Sequence, residues 1–274
     1  MNTLKLVLVS ALLLVTLQAC RSTEPAGGHQ PRRFDPSKSD PRAMAWAEKV
    51  MHVVGADEAF RRIRYIRFHF VLRERDTVRV DRAHWWNRQT DDYKIEWFDA
   101  MNNQYTVLLN LRSGNGSVWF NRKPVADSLR SQTLLQRAYA SVINDTYWLL
   151  MPFKLKDPGV VLSYEGETTD NGHPQVVIGL AFENVGLTPQ NRYRIYIHPE
   201  THLVERWDYF KTPDAEPRPA LWSDWRDYHG VKIAHHRQFL QKPITIRFEQ
   251  VQLDTVVDLR AFLPPEGPQD VTEK

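Results

Sequence analysis

Apolar and polar residues alternate with a period of two along most of this chain, which predicts antiparallel β-strands. The clearest runs carry apolar residues at every second position. They include Tyr93 to Trp97, Tyr105 to Leu111 and Val176 to Phe182. The runs Val78 to Trp86 and Val231 to Phe239 follow the same period, with Arg and His at some of the alternate positions. Tight-turn sequences such as Gly114-Asn115-Gly116 and His229-Gly230 separate the runs. We therefore expect about eleven or twelve strands in up-and-down order, closed into a barrel or curled around a cover.

One stretch breaks this pattern and predicts a helix near residues 127–151. It contains no Gly or Pro, and its apolar residues recur at helical spacing: Leu135, Ala138, Tyr139, Val142, Leu149 and Leu150. Asp127 and Asp145 both suit an N-cap, so the stretch is either one helix or two short ones that stop near Pro152. Its apolar side must lie on the sheet, either as a lid over space for an apolar ligand or as a plug of the core.

The predicted domain begins with a second helix. Asp40 suits its N-cap and Pro41 its first position, with Trp46, Val50, Val53 and Val54 on the buried side and Gly55 at the end. Beyond it, the alternation shifts phase near Ile66, which predicts a β-bulge. The residues therefore predict a fold that is mainly β with α insertions: a single antiparallel sheet with an N-terminal helix and a helical cover.

The first 19 residues have the features of a secretory signal peptide. Lys5 precedes an apolar run from Leu6 to Leu17 that is too short to span a bilayer. Leu17-Gln18-Ala19-Cys20 resembles the cleavage site of a bacterial lipoprotein, which implies lipidation of Cys20; an ordinary signal with an incidental cysteine is the alternative. Arg21, rather than Asp, favours retention in the outer membrane, facing the periplasm.

Composition divides the rest of the chain. Residues 20–39 are rich in Pro, Gly, Ser and charge and predict a flexible tether, residues 264–274 predict a disordered tail, and residues 40–263 predict one domain. Cys20 is the only cysteine, so no internal disulfide is expected. The net charge of +3 is spread evenly apart from an arginine cluster at 61–67, so we expect no nucleic-acid partner.

Catalytic and metal signatures are weak. The sequence has no G-x-S-x-G elbow and no phosphate-binding glycine loop. His198, Glu200 and His202 straddle a hairpin, and the neighbours His235 and His236 point to opposite faces of a strand, so we expect neither metal nor cofactor. Carboxylates beside tryptophans leave a glycan- or lipid-cleaving enzyme as a minor alternative: Glu96, Asp208 and Asp224.

The most hydrophobic run of the mature chain is Tyr147 to Met151. It suits the core, a membrane-touching edge or the lip of a ligand cavity. Lys154 and Lys156 follow directly, and an apolar run edged by lysines also suits anionic head groups.

Four segments resemble the LolA/LolB lipoprotein-carrier family, in particular its outer-membrane lipoprotein-sorting-like branch, over residues 41–262. They are HWWNRQTDDYKIEW from His84, NDTYWLLMPFKLKDPGV from Asn144, YRIYIHPETHLVERWDYF from Tyr193 and GVKIAHHRQF from Gly230. The resemblance implies an incomplete barrel whose apolar concave face holds acyl chains beneath a helical lid. Cys20 makes the anchorage more like that of LolB. No functional residue of the family can be carried over.

The expected function is a non-catalytic carrier or sensor of lipid or lipoprotein, with acyl chains as ligand and the membrane reached through the anchor. The alternative from another class is an envelope protein–protein interaction module with a filled core. Aromatic and apolar residues of the strands and lid are the candidate cavity wall: Trp86, Tyr93, Trp97, Trp119, Trp148, Leu149 and Trp207.

Overall fold

The structure, a computed structural model, describes residues 33–170, 172–183 and 185–267. The predicted signal peptide, the lipidation site Cys20, most of the tether and the last part of the predicted tail lie outside this range. Within it, no helix combines the length and the apolar character needed to cross a bilayer.

A single antiparallel sheet of 13 strands forms the body of the protein. The strands are β1 (Tyr65–Glu74), β2 (Thr77–Asn87), β3 (Asp92–Phe98), β4 (Gln104–Asn110), β5 (Gly116–Phe120), β6 (Lys123–Pro124), β7 (Val160–Asp170), β8 (His173–Phe182), β9 (Arg192–Ile197), β10 (Val204–Phe210), β11 (Arg218–Tyr228), β12 (Val231–Phe239) and β13 (Ile244–Asp254). Strands β1 to β6 run outward to one edge, and β7 to β13 run back from the other edge until β13 pairs with β1. The sheet is open, which confirms the predicted half-barrel and its up-and-down order.

In residues 33–170, 172–183 and 185–267, three α-helices accompany the sheet: α1 (Pro41–Val53), α2 (Ala59–Arg62) and α3 (Ser128–Leu150). Short 3₁₀ helices lie at Pro36–Lys38, Met151–Phe153 and Leu259–Phe262. Helix α3, with 23 residues, connects the edge strands β6 and β7. The predicted helical cover, α3, is therefore part of the connection between the two edge strands of the sheet.

Helix α1 begins as the sequence predicts. The Asp40 side chain accepts a hydrogen bond from the Arg42 amide, and Pro41 is the first helical residue. The buried side consists of Ala43, Ala47 and Val50, followed by Val54. Two of the predicted residues differ, because Trp46 and Val53 are only half-buried. The small residues of the helix face the sheet. The Lys49 ammonium lies 3.9 Å from the centre of the Trp46 ring.

Gly55 ends this helix for two physical reasons. Its φ of +75° lies in the left-handed region that favours glycine. A Cβ atom at this position would also lie 1.9 Å from the carbonyl oxygen of Gly230. The approach holds the end of α1 against the hairpin between β11 and β12, where the Lys232 amide donates to the Val54 carbonyl at 3.0 Å.

Helix α3 is one continuous helix, which decides between the two predicted arrangements. The Asp127 side chain accepts from the Arg130 amide at 2.6 Å and so caps the helix. Asp145 lies in its interior instead of starting a second helix. The α-helix ends at Leu150, and Pro152 falls within the following 3₁₀ turn. The predicted bulge near Ile66 is also present, because the register of β1 with β13 shifts between Arg67 and His69.

Candidate ligand-binding interior

The N-terminal half and the middle of α3 cover an apolar cluster on the first half of the sheet, which we call the β3–β5 cluster. Ala138 and Val142 of α3 are fully buried there. Their partners on the sheet are Tyr93, Ile95, Trp97, Val107, Leu109 and Val118. Trp97 stacks on Tyr105 with ring centroids 5.1 Å apart. The predicted apolar stripe of α3 therefore faces the sheet.

The C-terminal end of α3 covers a second, aromatic cluster on strands β8 to β12. Trp148 stacks on Trp207 at 4.5 Å with an interplanar angle of 6°. Tyr147 meets the rings of Tyr193 and Trp207 edge-on or tilted, at 5.6 and 5.7 Å. Trp207 is almost fully buried and stacks in turn on Trp222 at 5.5 Å. The protein's own aromatic side chains thus fill the interior at this end.

A buried ion pair joins α3 to the sheet between these two clusters. Asp145, the only acidic residue of the helix, accepts from Arg82 through both carboxylate oxygens at 2.6 and 2.7 Å. It is also 3.0 Å from Nε2 of His84. The other ring nitrogen of His84, Nδ1, lies 2.9 Å from the Tyr93 hydroxyl. Asp145 and His84 are completely buried, and Phe68 stacks on the His84 ring at 4.4 Å.

The charges of this network follow from burial and contact. Burial alone raises the pKa of Asp145, but the Arg82 charge and the hydrogen bond with His84 outweigh it, and the net pKa lies below its ordinary value. Burial lowers the pKa of His84 in spite of the nearby carboxylate. Burial also raises the pKa of Tyr93 well above its usual value. At neutral pH the network therefore consists of a carboxylate, a guanidinium, a neutral imidazole and a neutral phenol.

A second polar link ties the C-terminal end of α3 to β12. The Arg237 guanidinium donates to the Trp148 carbonyl at 2.9 Å and to the carbonyls of Ala234 and His236 at 3.0 and 3.2 Å. It lies 3.4 Å from the centre of the Trp222 ring and is fully buried. In the described residues, no carboxylate pairs with it. Because only carbonyl groups partner the charge, burial lowers the pKa of Arg237 well below its usual range.

Six of the seven candidate cavity residues lie at this interior. Tyr93 and Trp97 belong to the β3–β5 cluster, with Trp86 packed against it. Trp207 belongs to the aromatic cluster with Trp148 packed on it, and Leu149 is buried in α3. Trp119 alternates with the buried Val118, so it lies on the opposite face of the sheet, beside Thr106 of β4. Whether the six residues contact a ligand remains a prediction.

Sequence reasoning missed the polar residues that hold α3 in place. Asp145 follows Ala138 and Val142 on the apolar side of the helix, where an acidic residue needs a buried partner. Arg237 likewise falls in the apolar phase of β12, in line with Val231 and Phe239. In both cases the sequence shows a charged residue at a position where the apolar pattern predicts a buried side chain. Their partners were not visible, because Arg82 and Asp145 are 63 positions apart in the chain.

The three carboxylates considered for acid–base chemistry each have a local partner. Glu96 is 3.0 Å from Lys94, Asp208 is 2.7 Å from Arg206, and Asp224 is 2.8 Å from Arg226. Five strands separate β3 from β10 in the sheet. Asp224 is five residues along β11 from Pro219, the partner of Asp208, which corresponds to about 16 Å. The structure does not bring these groups together as a catalytic pair.

The histidines and lysines singled out in the sequence have structural partners. His198 accepts from the amides of Glu200 and Thr201 at 3.2 Å and caps its hairpin. In the described part of the chain, no three His, Cys, Asp or Glu side chains are placed to hold a metal ion. Lys154 pairs with Asp157, and Lys156 pairs with Glu48 at 2.8 Å. These two lysines, expected at a surface for anionic head groups, already have carboxylate partners.

Two pockets that are lined by several charged residues open on the surface. One, of about 300 Å³, lies among Asp224, Tyr228, His235, Arg247 and Glu249, where β12 and β13 are no longer paired. The other, of about 340 Å³, lies between Phe120, Lys123 and Arg130 at the start of α3. Neither is lined by the six interior candidates.

A family model matches residues 38–242, about three quarters of the chain. The chain belongs to the Family of unknown function (DUF6503). The matched region begins just before α1 and ends before β13, so it contains α3 and both clusters beneath it. No curated protein sequence matches the chain.

Solved structures with a similar fold include a LolA superfamily protein from Nitrosomonas europaea, with 7% identity and a TM-score of 0.48 over 81% of this chain and 97% of that one. A DUF1329 family protein from Desulfovibrio piger has 12% identity and a TM-score of 0.48 over 82% and 98% of the two chains. A putative outer membrane lipoprotein-sorting protein domain from Vibrio parahaemolyticus has 9% identity and a TM-score of 0.44 over 80% and 97%. Each of these three alignments covers about four fifths of this chain and nearly all of the other one.

Proposed function

We propose that the protein is a non-catalytic carrier or sensor of an acylated ligand, held by lipidated Cys20 at the periplasmic face of the outer membrane. In this proposal residues 1–19 are removed on export, residues 20–39 form the tether, residues 40–263 bind the ligand and residues 264–274 form a tail. The observation that carries the proposal is the position of α3 over an apolar, aromatic face of an open sheet.

The attachment of α3 supports a movable lid. In the described residues, its hydrogen bonds to the sheet come only from Asp145 and Trp148, both in the last two turns. The first turns, around Leu129 and Arg130, are exposed. Between these regions the helix is held by apolar contacts through Ala138 and Val142. The N-terminal half can therefore lift while the C-terminal half stays attached.

Lifting this half would uncover the β3–β5 cluster to an acyl chain. Burial of roughly 400 Å² of acyl surface contributes on the order of 10 kcal/mol before the costs of ordering the ligand and the helix. The contacts that the lid loses on opening are also apolar. A ligand chain can replace them, so the closed and loaded forms differ by much less than this gross value.

Native mass spectrometry of the full chain, extracted gently from membranes, tests the proposal. We expect a copurifying lipid of defined mass. An Ala138→Phe variant fills the space beneath α3 and should lose the lipid, whereas Gln136→Phe adds the same ring to an exposed position of the helix and should retain it. Thermal unfolding of both variants checks that they fold. Protein that carries no lipid and ignores fatty-acid probes would contradict the proposal.

A second candidate is a protein–protein interaction module in the envelope. The filled aromatic cluster favours it, because Trp148 and Trp207 leave little room between them in the closed form. Crosslinking in intact cells separates the candidates: the module predicts a stable protein partner and no bound lipid, and the carrier predicts lipid.

A further inference from the structure

The interior contains a group of buried N–H donors without acceptors. Among the described residues, the buried side-chain atoms that lack a partner include Nε of Arg237 and the indole nitrogens of three neighbouring tryptophans, Trp207, Trp222 and Trp225. We call these four residues the donor cluster. They are contiguous, since Trp222 lies 3.4 Å from the Arg237 guanidinium, 5.5 Å from Trp207 and 6.3 Å from Trp225, each distance taken to ring centroids.

An unpaired buried donor is unusual and costs free energy. A buried donor without an acceptor destabilises a fold, and it does so more strongly when the donor is charged. Buried arginines are normally paired with carboxylates. Arg237 has three carbonyl partners and no carboxylate in the described residues. The donor cluster is therefore positively charged, rich in donors and short of acceptors.

Trp148 occupies the space next to this cluster in the closed form. Its ring lies on Trp207, and its carbonyl oxygen accepts from Arg237. That carbonyl is one of the last four of α3, and no backbone N–H within the helix donates to these four carbonyls. With the C-terminal half of α3 still attached, a rotation of the Trp148 side chain would vacate the space over Trp207, and the Trp148 carbonyl would keep its hydrogen bond with Arg237. The space that remains would be apolar around a guanidinium.

We infer that the donor cluster binds the anionic oxygen head of an acyl amphiphile, a carboxylate or a phosphate, while the chain lies on the aromatic and apolar residues around it. The inference rests on the proposed carrier function and names the chemistry of its ligand. An anionic oxygen supplies both the acceptors and the countercharge that Arg237 lacks. An apolar cavity without this cluster would give an anionic chain no advantage over a neutral one, because burial of an unpaired charge costs free energy.

The test compares three probes with the same 16-carbon chain: hexadecanoate, hexadecyl phosphate and hexadecanol. The full chain is held in amphipol at pH 8, where both anions are ionised, and affinities are measured by displacement of a fluorescent fatty acid. We expect at least one anion to bind the wild-type protein about tenfold or more tightly than the alcohol. A tighter carboxylate indicates a fatty-acid-like source, and a tighter phosphate indicates a phospholipid-like source; either order supports an anion site.

Three variants assign the preference to Arg237. Arg237→Met keeps an unbranched apolar stem without the charge and should bind neither anion more than about threefold more tightly than the alcohol. Arg237→Lys keeps the charge and should retain part of the preference. Arg247→Met removes one charge from an exposed position of the adjacent strand β13 and should behave as wild type. Thermal unfolding confirms that each variant folds.

The outcomes separate the two levels of the proposal. Equal affinity of the wild-type protein for all three probes would overturn the anion site and leave the carrier function standing. A preference that survives in Arg237→Met would also overturn it, since the anion would then be bound elsewhere. Failure of every probe to bind would contradict the carrier function and the anion site together.

Discussion

The Asp145 carboxylate on α3 and the Arg82 guanidinium on β2 form a two-point ion pair inside the molecule, at 2.6 and 2.7 Å. Asp145 is fully buried and Arg82 is 14% exposed. A buried pair of this kind adds little net stability compared with an apolar packing, but it is costly to break on one side. It fixes one position of a helix whose other contacts are mostly apolar and could slide.

Removal of the carboxylate should loosen the lid. Asp145→Asn leaves the Arg82 charge without a partner and should lower the free energy of unfolding by about 3 kcal/mol. The matched control is Asp81→Asn. Asp81 precedes Arg82 on β2 and is an exposed partner of His69, so this substitution should cost less than about 1 kcal/mol. Urea denaturation measures both. Equal effects of the two substitutions would show that the buried pair does not hold the helix.

His84 should make the fold less stable in mild acid. Burial keeps its pKa in the folded state below the ordinary value of about 6.5, with Asp145, Arg82, Tyr93 and His69 as its neighbours. As the pH falls below about 6.5, the unfolded chain binds a proton at this residue while the folded chain does not. Stability therefore decreases, by up to about 1.4 kcal/mol per pH unit for this one group, until the folded pKa is reached.

The variant His84→Gln isolates this contribution. We expect the unfolding free energy of the wild-type protein to fall more steeply between pH 7.5 and 5.5 than that of the variant. His235 and His236, whose pKa values burial also lowers, affect both proteins equally. Identical slopes would mean that His84 is as readily protonated in the folded protein as in the unfolded chain.

Removal of the Trp148 ring should open the interior. Trp148→Ala leaves a cavity over Trp207, and apolar cavities of this kind bind small apolar molecules. We expect a loss of about 2 kcal/mol in stability together with tighter binding of an environment-sensitive fluorescent fatty acid. Trp119→Ala, on the opposite face of the sheet, is the control and should leave probe binding unchanged. A cavity variant that binds no more probe than the control contradicts a usable interior.

The predicted anchor has a simple test. Cys20→Ser should abolish lipidation and move the protein from the membrane fraction to the periplasmic fraction, because stable anchoring depends on the acyl chains. Arg21→Ser changes the neighbouring residue without touching the thiol and should leave the protein in the membrane. Wild-type protein found in the periplasmic fraction would favour an ordinary signal peptide with an incidental cysteine.

The fold was predictable from the sequence because its main signals are local. Alternation of apolar residues indicated the strands, and Asp127 and Pro152 marked the ends of α3. The interior was less predictable for two reasons. Alternation assigns residues to a face without saying which face is covered, so Trp119 was grouped with Trp97 and Trp207 although it lies on the other side. Asp145 and Arg237 acquire their roles from partners 63 and 89 positions away.

Fluorescence quenching by a brominated fatty acid shows whether an acyl chain enters the space beneath α3. Bromine quenches tryptophan only near contact, so a bound chain should quench the interior residues Trp97 and Trp207 and spare Trp119. We predict that Trp207→Phe reduces the quenched fraction, whereas Trp119→Phe increases it. Quenching that follows Trp119, or no quenching at saturating fatty acid, would contradict the account.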